Sequence, residues 1–161
     1  MKPGPICTDP ASLRERVLAA VTSVDDPEYP GISIVDLGLL ETIDVSADGD
    51  VGVGLIPTFS GCPALGMIAD DVRAVVGDIA GVGSVAIEWR GAPVWTIDRV
   101  TSVAREAMAR EFTVAVRIGD GPTPCPLCGS PTVEQSVFGP SRCRAVHRCE
   151  ACTEVIEVMR G

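Results

Sequence analysis

Basic residues are scarce in this chain: 13 Lys and Arg stand against 22 Asp and Glu over 161 residues, a formal net charge of −9. That balance excludes a general nucleic-acid binder, which needs a basic surface to displace counterions. It also gives no attraction to anionic lipid. Aromatic residues make up only 4%, too few to line a large aromatic pocket. The chain has one histidine, His147, which leaves a Cys–His nucleophile with a single candidate base. No apolar run approaches the roughly 20 residues of a membrane-spanning helix. The start, Met1-Lys2-Pro3-Gly4-Pro5, lacks the apolar stretch of a secretory signal. The expected location is therefore the cytoplasm.

What is present is a core-forming composition, 46% hydrophobic, and seven cysteines. An odd count with no secretory signal argues against a disulfide framework. Five of the seven, Cys125, Cys128, Cys143, Cys149 and Cys152, follow residue 120; Cys7 and Cys62 precede it. Charge divides at the same place. Beyond residue 121, Arg142, Arg144, Arg148 and Arg160 balance Glu134, Glu150, Glu154 and Glu157, so the net −9 belongs to the first part. Gly119-Asp120-Gly121-Pro122-Thr123-Pro124 reads as a linker, since Gly and Pro interrupt both helix and sheet. Residues 9–118, 119–124 and 125–161 are thus the expected first domain, linker and C-terminal unit.

The first part reads as mixed α and β. Asp9-Pro10 is a helix start, and Leu13, Val17, Ala20, Val21 and Val24 follow on one helical face. Ile32–Leu40 is apolar but carries Asp36 and Gly38, which suits a strand or an extended loop. Glu41–Ser46 and Val51–Ile56 form a hairpin pattern over Asp48-Gly49. A second helix is expected after Gly61-Cys62-Pro63, with Leu65, Ile68, Val72, Val75, Val76 and Ile79 on its apolar face. Val85, Ile87 and Trp89 alternate with polar or small neighbours, as in a half-buried strand. A third helix fits Thr101–Glu111, and Thr113–Ile118 is strand-like. The order α-β-β-α-β-α implies an α+β fold, a small sandwich of helices on a sheet.

Cys125-Pro126-Leu127-Cys128 and Cys149-Glu150-Ala151-Cys152 are two CxxC turns. Each turn points both sulfurs at one centre, and two turns complete a tetrahedral thiolate cage. Gly129 allows the first turn to close. Thr132–Phe138 and Cys143–Arg148 can pair over Gly139-Pro140, and Glu154–Met159 can add a third strand. This is a zinc-ribbon pattern, in which structural zinc is preferred to an iron–sulfur cluster. About forty residues cannot bury enough core unaided, so the metal supplies roughly 10 kcal/mol or more of folding free energy. Cys143 and His147 lie within the ribbon as competing ligands, although a small buried thiol and a structural histidine account for them more simply.

Two elements of the first part are too polar for their surroundings. Asp25-Asp26-Pro27-Glu28, followed by Asp36-Leu37-Gly38, is either a solvated acidic loop or part of a metal site. Pro57-Thr58-Phe59-Ser60-Gly61-Cys62-Pro63 brings a cysteine to the expected start of a helix. Free N–H groups and the positive dipole end there would favour a thiolate. A thiolate beside carboxylates suits a metal or a cluster; an inert helix-entry cysteine is the alternative.

The run Asp26–Gly38, together with Pro57–Ala64, resembles the iron–sulfur assembly domain family that includes SufT-like proteins. Pro93-Val94-Trp95-Thr96-Ile97-Asp98 and the tail Phe138–Cys149, with its extra Cys143, resemble the PaaD-like family. These are small accessory proteins of the phenylacetyl-CoA epoxidase system. The likeness extends over about residues 13–159. It implies a non-catalytic factor that helps mature the di-iron or Fe–S centres of that multicomponent enzyme in aerobic phenylacetate breakdown. A metal-independent scaffold of the complex is the alternative. By position, it implies that Cys62 is the iron or cluster contact, that Asp26 and Glu28 belong to the same acidic motif, and that Thr58 and Ser60 shape its loop. It further implies structural zinc at Cys125, Cys128, Cys149 and Cys152, and transient iron or an Fe–S cluster. The implied partners are the epoxidase components and, because one cysteine is an incomplete site, a second copy of the chain in a homodimer.

Overall fold

The computed structural model describes residues 9–160. Helix α1, Pro10–Thr22, begins where the sequence places it. The Asp9 carboxylate accepts from the Ala11 N–H at 3.4 Å, and proline occupies the first turn, where no N–H is needed. Leu13, Val17 and Val21 form its buried stripe. The acidic segment follows as β1 (Asp25–Asp26) paired with β2 (Tyr29–Ser33) in a tight antiparallel ribbon. The apolar stretch beyond it is a turn rather than a continuous strand. Ile34, Leu37 and Leu39 are nevertheless fully buried. Gly38 makes that turn possible, with φ of +77° and no room for a Cβ beside Arg99.

A three-stranded sheet comes next. β3 (Leu40–Val45) and β4 (Val51–Leu55) form the expected antiparallel hairpin. β5 (Val85–Trp89) runs parallel to β4, giving the order β3-β4-β5. A parallel neighbour requires a crossover, and helix α2 (Leu65–Gly77) provides it, burying Ile68, Val72 and Val76. Helix α1 touches both α2 and β3, while α2 touches β5, so the helices cover the sheet as a second layer. Trp95 anchors the next segment: its indole N–H donates to the Leu37 carbonyl at 2.9 Å in a buried setting. After a short 3-10 turn, Ile97–Arg99, helix α3 (Ser102–Phe112) starts under a Thr101 cap and stops at Thr113 in the left-handed region, φ 56°.

The second sheet contains β6 (Val114–Val116), β7 (Thr132–Ser136), β8 (Arg144–Cys149) and β9 (Val155–Met159), in the order β6-β9-β8-β7. The ribbon strands are therefore those expected, but the β7–β8 connection is a longer loop across residues 137–143. It is closed by the Gly139 N–H donating to the Arg144 carbonyl at 2.7 Å. β6 falls within the strand-like stretch Thr113–Ile118 and pairs in parallel with β9 of the ribbon. Alternation along β6 explains its position. Val114 and Val116 enter the large core, while Ala115 joins Cys125, Cys149, Ile156 and Val158 in the smaller one. Both faces of this strand are buried, and it ties the two cores together. Among the described residues no helix is long and apolar enough to cross a membrane.

Candidate metal centre and thiol cavity

The two CxxC turns converge. The sulfurs of Cys125, Cys128, Cys149 and Cys152 all lie within 4.8 Å of one another. Cys125 and Cys152 are 3.7 Å apart, and Cys128 and Cys149 3.4 Å. A tetrahedral site with metal–sulfur bonds of about 2.3 Å has sulfur–sulfur edges of about 3.8 Å, so the cage fits one ion. Local backbone geometry produces it. The Gly129 N–H donates to the Cys125 carbonyl at 2.8 Å, with Gly129 at φ 76°. On the other turn, the Cys152 N–H donates to the Cys149 sulfur at 3.4 Å. Hydrogen bonds from Ser130, side chain first and then backbone, lower the Cys128 thiol to about 6. The Cys152 and Ala151 N–H groups lower Cys149 as well. Both shifts favour the thiolate form that a metal requires; at Cys152 the Glu154 N–H acts the same way, but the hydrogen bond with Cys149 and burial push the thiol up to about 12.

His147 stands outside this cage. Its Nδ1 lies 3.0 Å from the Thr132 hydroxyl, whose own proton goes to the Thr123 carbonyl at 2.8 Å. Nδ1 must therefore be the donor, which fixes the tautomer. Burial lowers the His147 pKa, with Glu134 opposing the shift. The imidazole is a neutral structural group that braces the ribbon.

A second constellation forms where the two parts meet. A cavity of about 550 Å³ is lined by Glu28, Phe59, Gly61, Cys62, Pro63, Pro140, Ser141, Arg142 and Cys143. Cys62 enters it from the turn before α2, where its N–H donates to the Phe59 carbonyl at 3.1 Å. Glu28 enters from the β1–β2 turn. Cys143 comes from the ribbon loop, beside the Ser141 hydroxyl at 3.1 Å. Arg144, the next residue, joins the two parts. Its guanidinium donates to Glu157 at 2.5 Å and to Glu28 at 3.1 Å, and stacks 4.8 Å above the Tyr29 ring. Burial opposes its charge, but the Tyr29, Glu157 and Glu28 groups around it hold the proton on.

The expected electrostatics of Cys62 are reversed. α2 begins at Leu65 with Ala64 as its cap, so Cys62 stands before the helix rather than at its end. The Ala64 N–H does favour the thiolate. Burial outweighs it, and Glu28, Asp26 and Cys143 add like-charge repulsion, so the thiol is pushed up. Asp26 is shifted upward too, by burial first, although its carboxylate accepts the Glu28 N–H at 2.8 Å. A cation would invert this balance, because protons held by crowded, partly buried acids are the ones a metal displaces.

Of the residues singled out from sequence, Cys62 and Glu28 share the cavity; Asp26 does not line it, although its charge acts on Cys62. Thr58 does not line it. That residue borders a neighbouring hollow of about 300 Å³ with Phe59, Phe138, Arg142, Cys143 and Arg160. Cys143, which the sequence offers only as a competing ribbon ligand or a small buried thiol, lines the Cys62 cavity and stands outside the four-sulfur cage. No local motif marks it, and only the tail pattern singled it out. Cys7 lies outside the described residues.

Comparison with known proteins agrees with this two-part organisation. Residues 14–89 match the family model described as "Iron-sulfur cluster assembly protein", and residues 110–160 match the "PaaD zinc beta ribbon domain". The chain is 31% identical over 152 residues to an Escherichia coli protein named as one component of a "Putative 1,2-phenylacetyl-CoA epoxidase", covering 89% of this chain and 90% of that one. A "Fe-S protein maturation auxiliary factor" of Porphyromonas gingivalis is 38% identical over 90 residues, covering 56% of this chain and 85% of the relative. Among solved structures, a domain of unknown function from Bacillus anthracis superposes with a TM-score of 0.59 at 25% identity, covering 63% of this chain and 95% of that one. With both modules present in order, and a relative matched over nearly its whole length, the chain belongs to the PaaD family: an iron–sulfur cluster assembly domain followed by a PaaD zinc ribbon.

Proposed function

We propose that this protein is a non-catalytic, cytoplasmic maturation factor for the metal centres of a multicomponent phenylacetyl-CoA epoxidase. In this reading Cys62, with Glu28 and Asp26 nearby, holds iron or an Fe–S cluster transiently. The four-cysteine ribbon holds structural zinc and presents the client-docking surface. The observation that carries the reading is the combination of an assembly domain with a cavity-lining cysteine and full-length likeness to an epoxidase-named relative. An incomplete ligand set suits a carrier, since a client or a second copy can complete the coordination and then take the metal. The test is metal analysis of the epoxidase purified with and without this protein. The expected result is lower iron content and lower activity in its absence. Unchanged iron and unchanged activity would sink the reading.

One observation favours a metal-independent scaffold as the second reading. Among the described residues, the four-cysteine cage is the one group of three or more side chains placed to hold a metal ion. A Cys62→Ala variant that fully restores epoxidase activity in a deletion strain would decide for the scaffold.

A further inference from the structure

We propose that Cys62 and Cys143 are the paired thiolate ligands of a single iron site that spans both parts of the chain. This inference deepens the maturation reading above and rests on it. Outside the ribbon cage, the described free cysteines are Cys62 and Cys143. They lie far apart in sequence, on different modules, yet both line the same cavity of about 550 Å³.

Their positions are held by separate contacts. Cys62 sits in a turn hydrogen-bonded on both sides, its N–H to Phe59 at 3.1 Å and its carbonyl from Leu65 at 3.4 Å. The Cys143 carbonyl accepts the Arg160 N–H at 2.8 Å, which ties it to the end of β9. Arg142 clasps the two loops together, its guanidinium 5.9 Å from the centre of the Phe59 ring. Arg144 fastens the Cys143 loop to Glu28, on the same cavity wall, at 3.1 Å. The two thiols therefore share the cavity because several independent contacts bring their loops together.

The donor set and the maturation reading together indicate the occupant. Two thiolates are soft ligands that suit iron or zinc, and the maturation reading selects iron. Binding Fe(II) breaks two S–H bonds, forms two Fe–S bonds and releases two protons, leaving an uncharged unit. Glu28 and the open side of the cavity leave room for the remaining ligands. Those ligands are water, inorganic sulfide or the thiolates of a client. Two protein ligands hold iron less firmly than the four of the ribbon cage, which is what a donor needs and a structural site does not.

The test uses the full chain with its ribbon metal in place, under anaerobic conditions. One arm receives Fe(II) alone, and the other Fe(II) mixed with Fe(III) plus sulfide, which supplies the oxidation level of an Fe–S cluster. Bound iron and ribbon metal are counted after desalting, and alkylation of each cysteine is followed by mass spectrometry. Wild type should retain iron in at least one arm, and iron should slow alkylation of both Cys62 and Cys143 tenfold or more. Uptake without sulfide assigns a mononuclear ion; uptake only with sulfide assigns a cluster. Cys62→Ser and Cys143→Ser should each lose iron at least tenfold while keeping the ribbon metal. Cys143→Ala, which removes only the sulfur, should behave like Cys143→Ser. Wild-type iron retention by the Cys143 variants, or protection of Cys62 alone, would overturn the proposal. So would a wild-type chain that takes up no iron in either arm. The maturation reading falls separately, on the iron content of the epoxidase from a deletion strain. If that content drops and the Cys143 variants restore it fully, the paired site is wrong and the maturation role stands.

Discussion

Replacing Arg144 with methionine tests how the two modules are joined. The side chain is only 14% exposed and meets Glu157 at 2.5 Å, Glu28 at 3.1 Å and the Tyr29 ring at 4.8 Å. At an effective dielectric constant of about 20, the two ion pairs attract by about 5–7 kcal/mol each before desolvation. Most of that is offset by the cost of removing the charges from water. The Glu157 contact then retains about 2 kcal/mol net. Glu28 is 35% exposed, so solvent screening leaves its pair about 1 kcal/mol. The cation–π contact adds about 1 kcal/mol. Arg144 Nε is buried without a partner, and removing that unsatisfied donor returns about 1 kcal/mol. Methionine fills a similar volume, so the expected loss is about 3 kcal/mol, read as a lower urea midpoint at unchanged m-value. A double-mutant cycle with Glu28→Gln should show about 1 kcal/mol of coupling. A loss below about 1 kcal/mol for Arg144→Met would refute the claim that this residue clamps the ribbon to the assembly domain.

Chelating the ribbon metal should unfold more than the ribbon, because β6 packs Val114 and Val116 into the large core while pairing with β9. Far-UV dichroism and amide exchange should show β6 and the end of α3 losing protection, and a change confined to residues 125–160 would refute the coupling. Asp26→Asn should stabilise the protein at neutral pH. The fold raises the Asp26 pKa, mainly by burial, so its stabilising effect is present below the ordinary carboxylate value and is lost as pH rises through the folded value. The melting temperature of the variant should exceed wild type at pH 7 and converge with it below about pH 4; a lower value at pH 7 would contradict this. Gly38→Ala should cost about 3 kcal/mol or more, since a Cβ there would lie 2.3 Å from the Arg99 Cβ and 2.7 Å from its carbonyl oxygen at φ +77°. Chemical denaturation measures it, and a near-neutral result would mean the turn can rebuild.

The elements legible in the sequence are those whose cause is local. Asp9-Pro10 starts α1 through an orphan N–H and a fixed φ, and the stripe Leu13, Val17, Val21 follows from helical period. The CxxC turns close over a few residues and carry their own ligand geometry, so the cage is readable from spacing. The thiolate expected at Cys62 fails for an equally physical reason. It weighs the helix end, which sequence reveals, without the burial and the acidic neighbours, which depend on distant segments.

The sequence by itself determined the two modules, the helices, the hairpin and the four-sulfur cage, because periodicity and short turns act within a few residues. Only the tertiary structure decided that β6 serves both cores and that Cys143 lines the Cys62 cavity rather than the metal cage. Those outcomes depend on which surfaces the modules bury against each other. Arg144 and Arg142 set that packing through partners far away in the chain, namely Glu28, Tyr29 and Phe59. Contacts of that kind leave no periodic mark in the sequence, since nothing local constrains either partner.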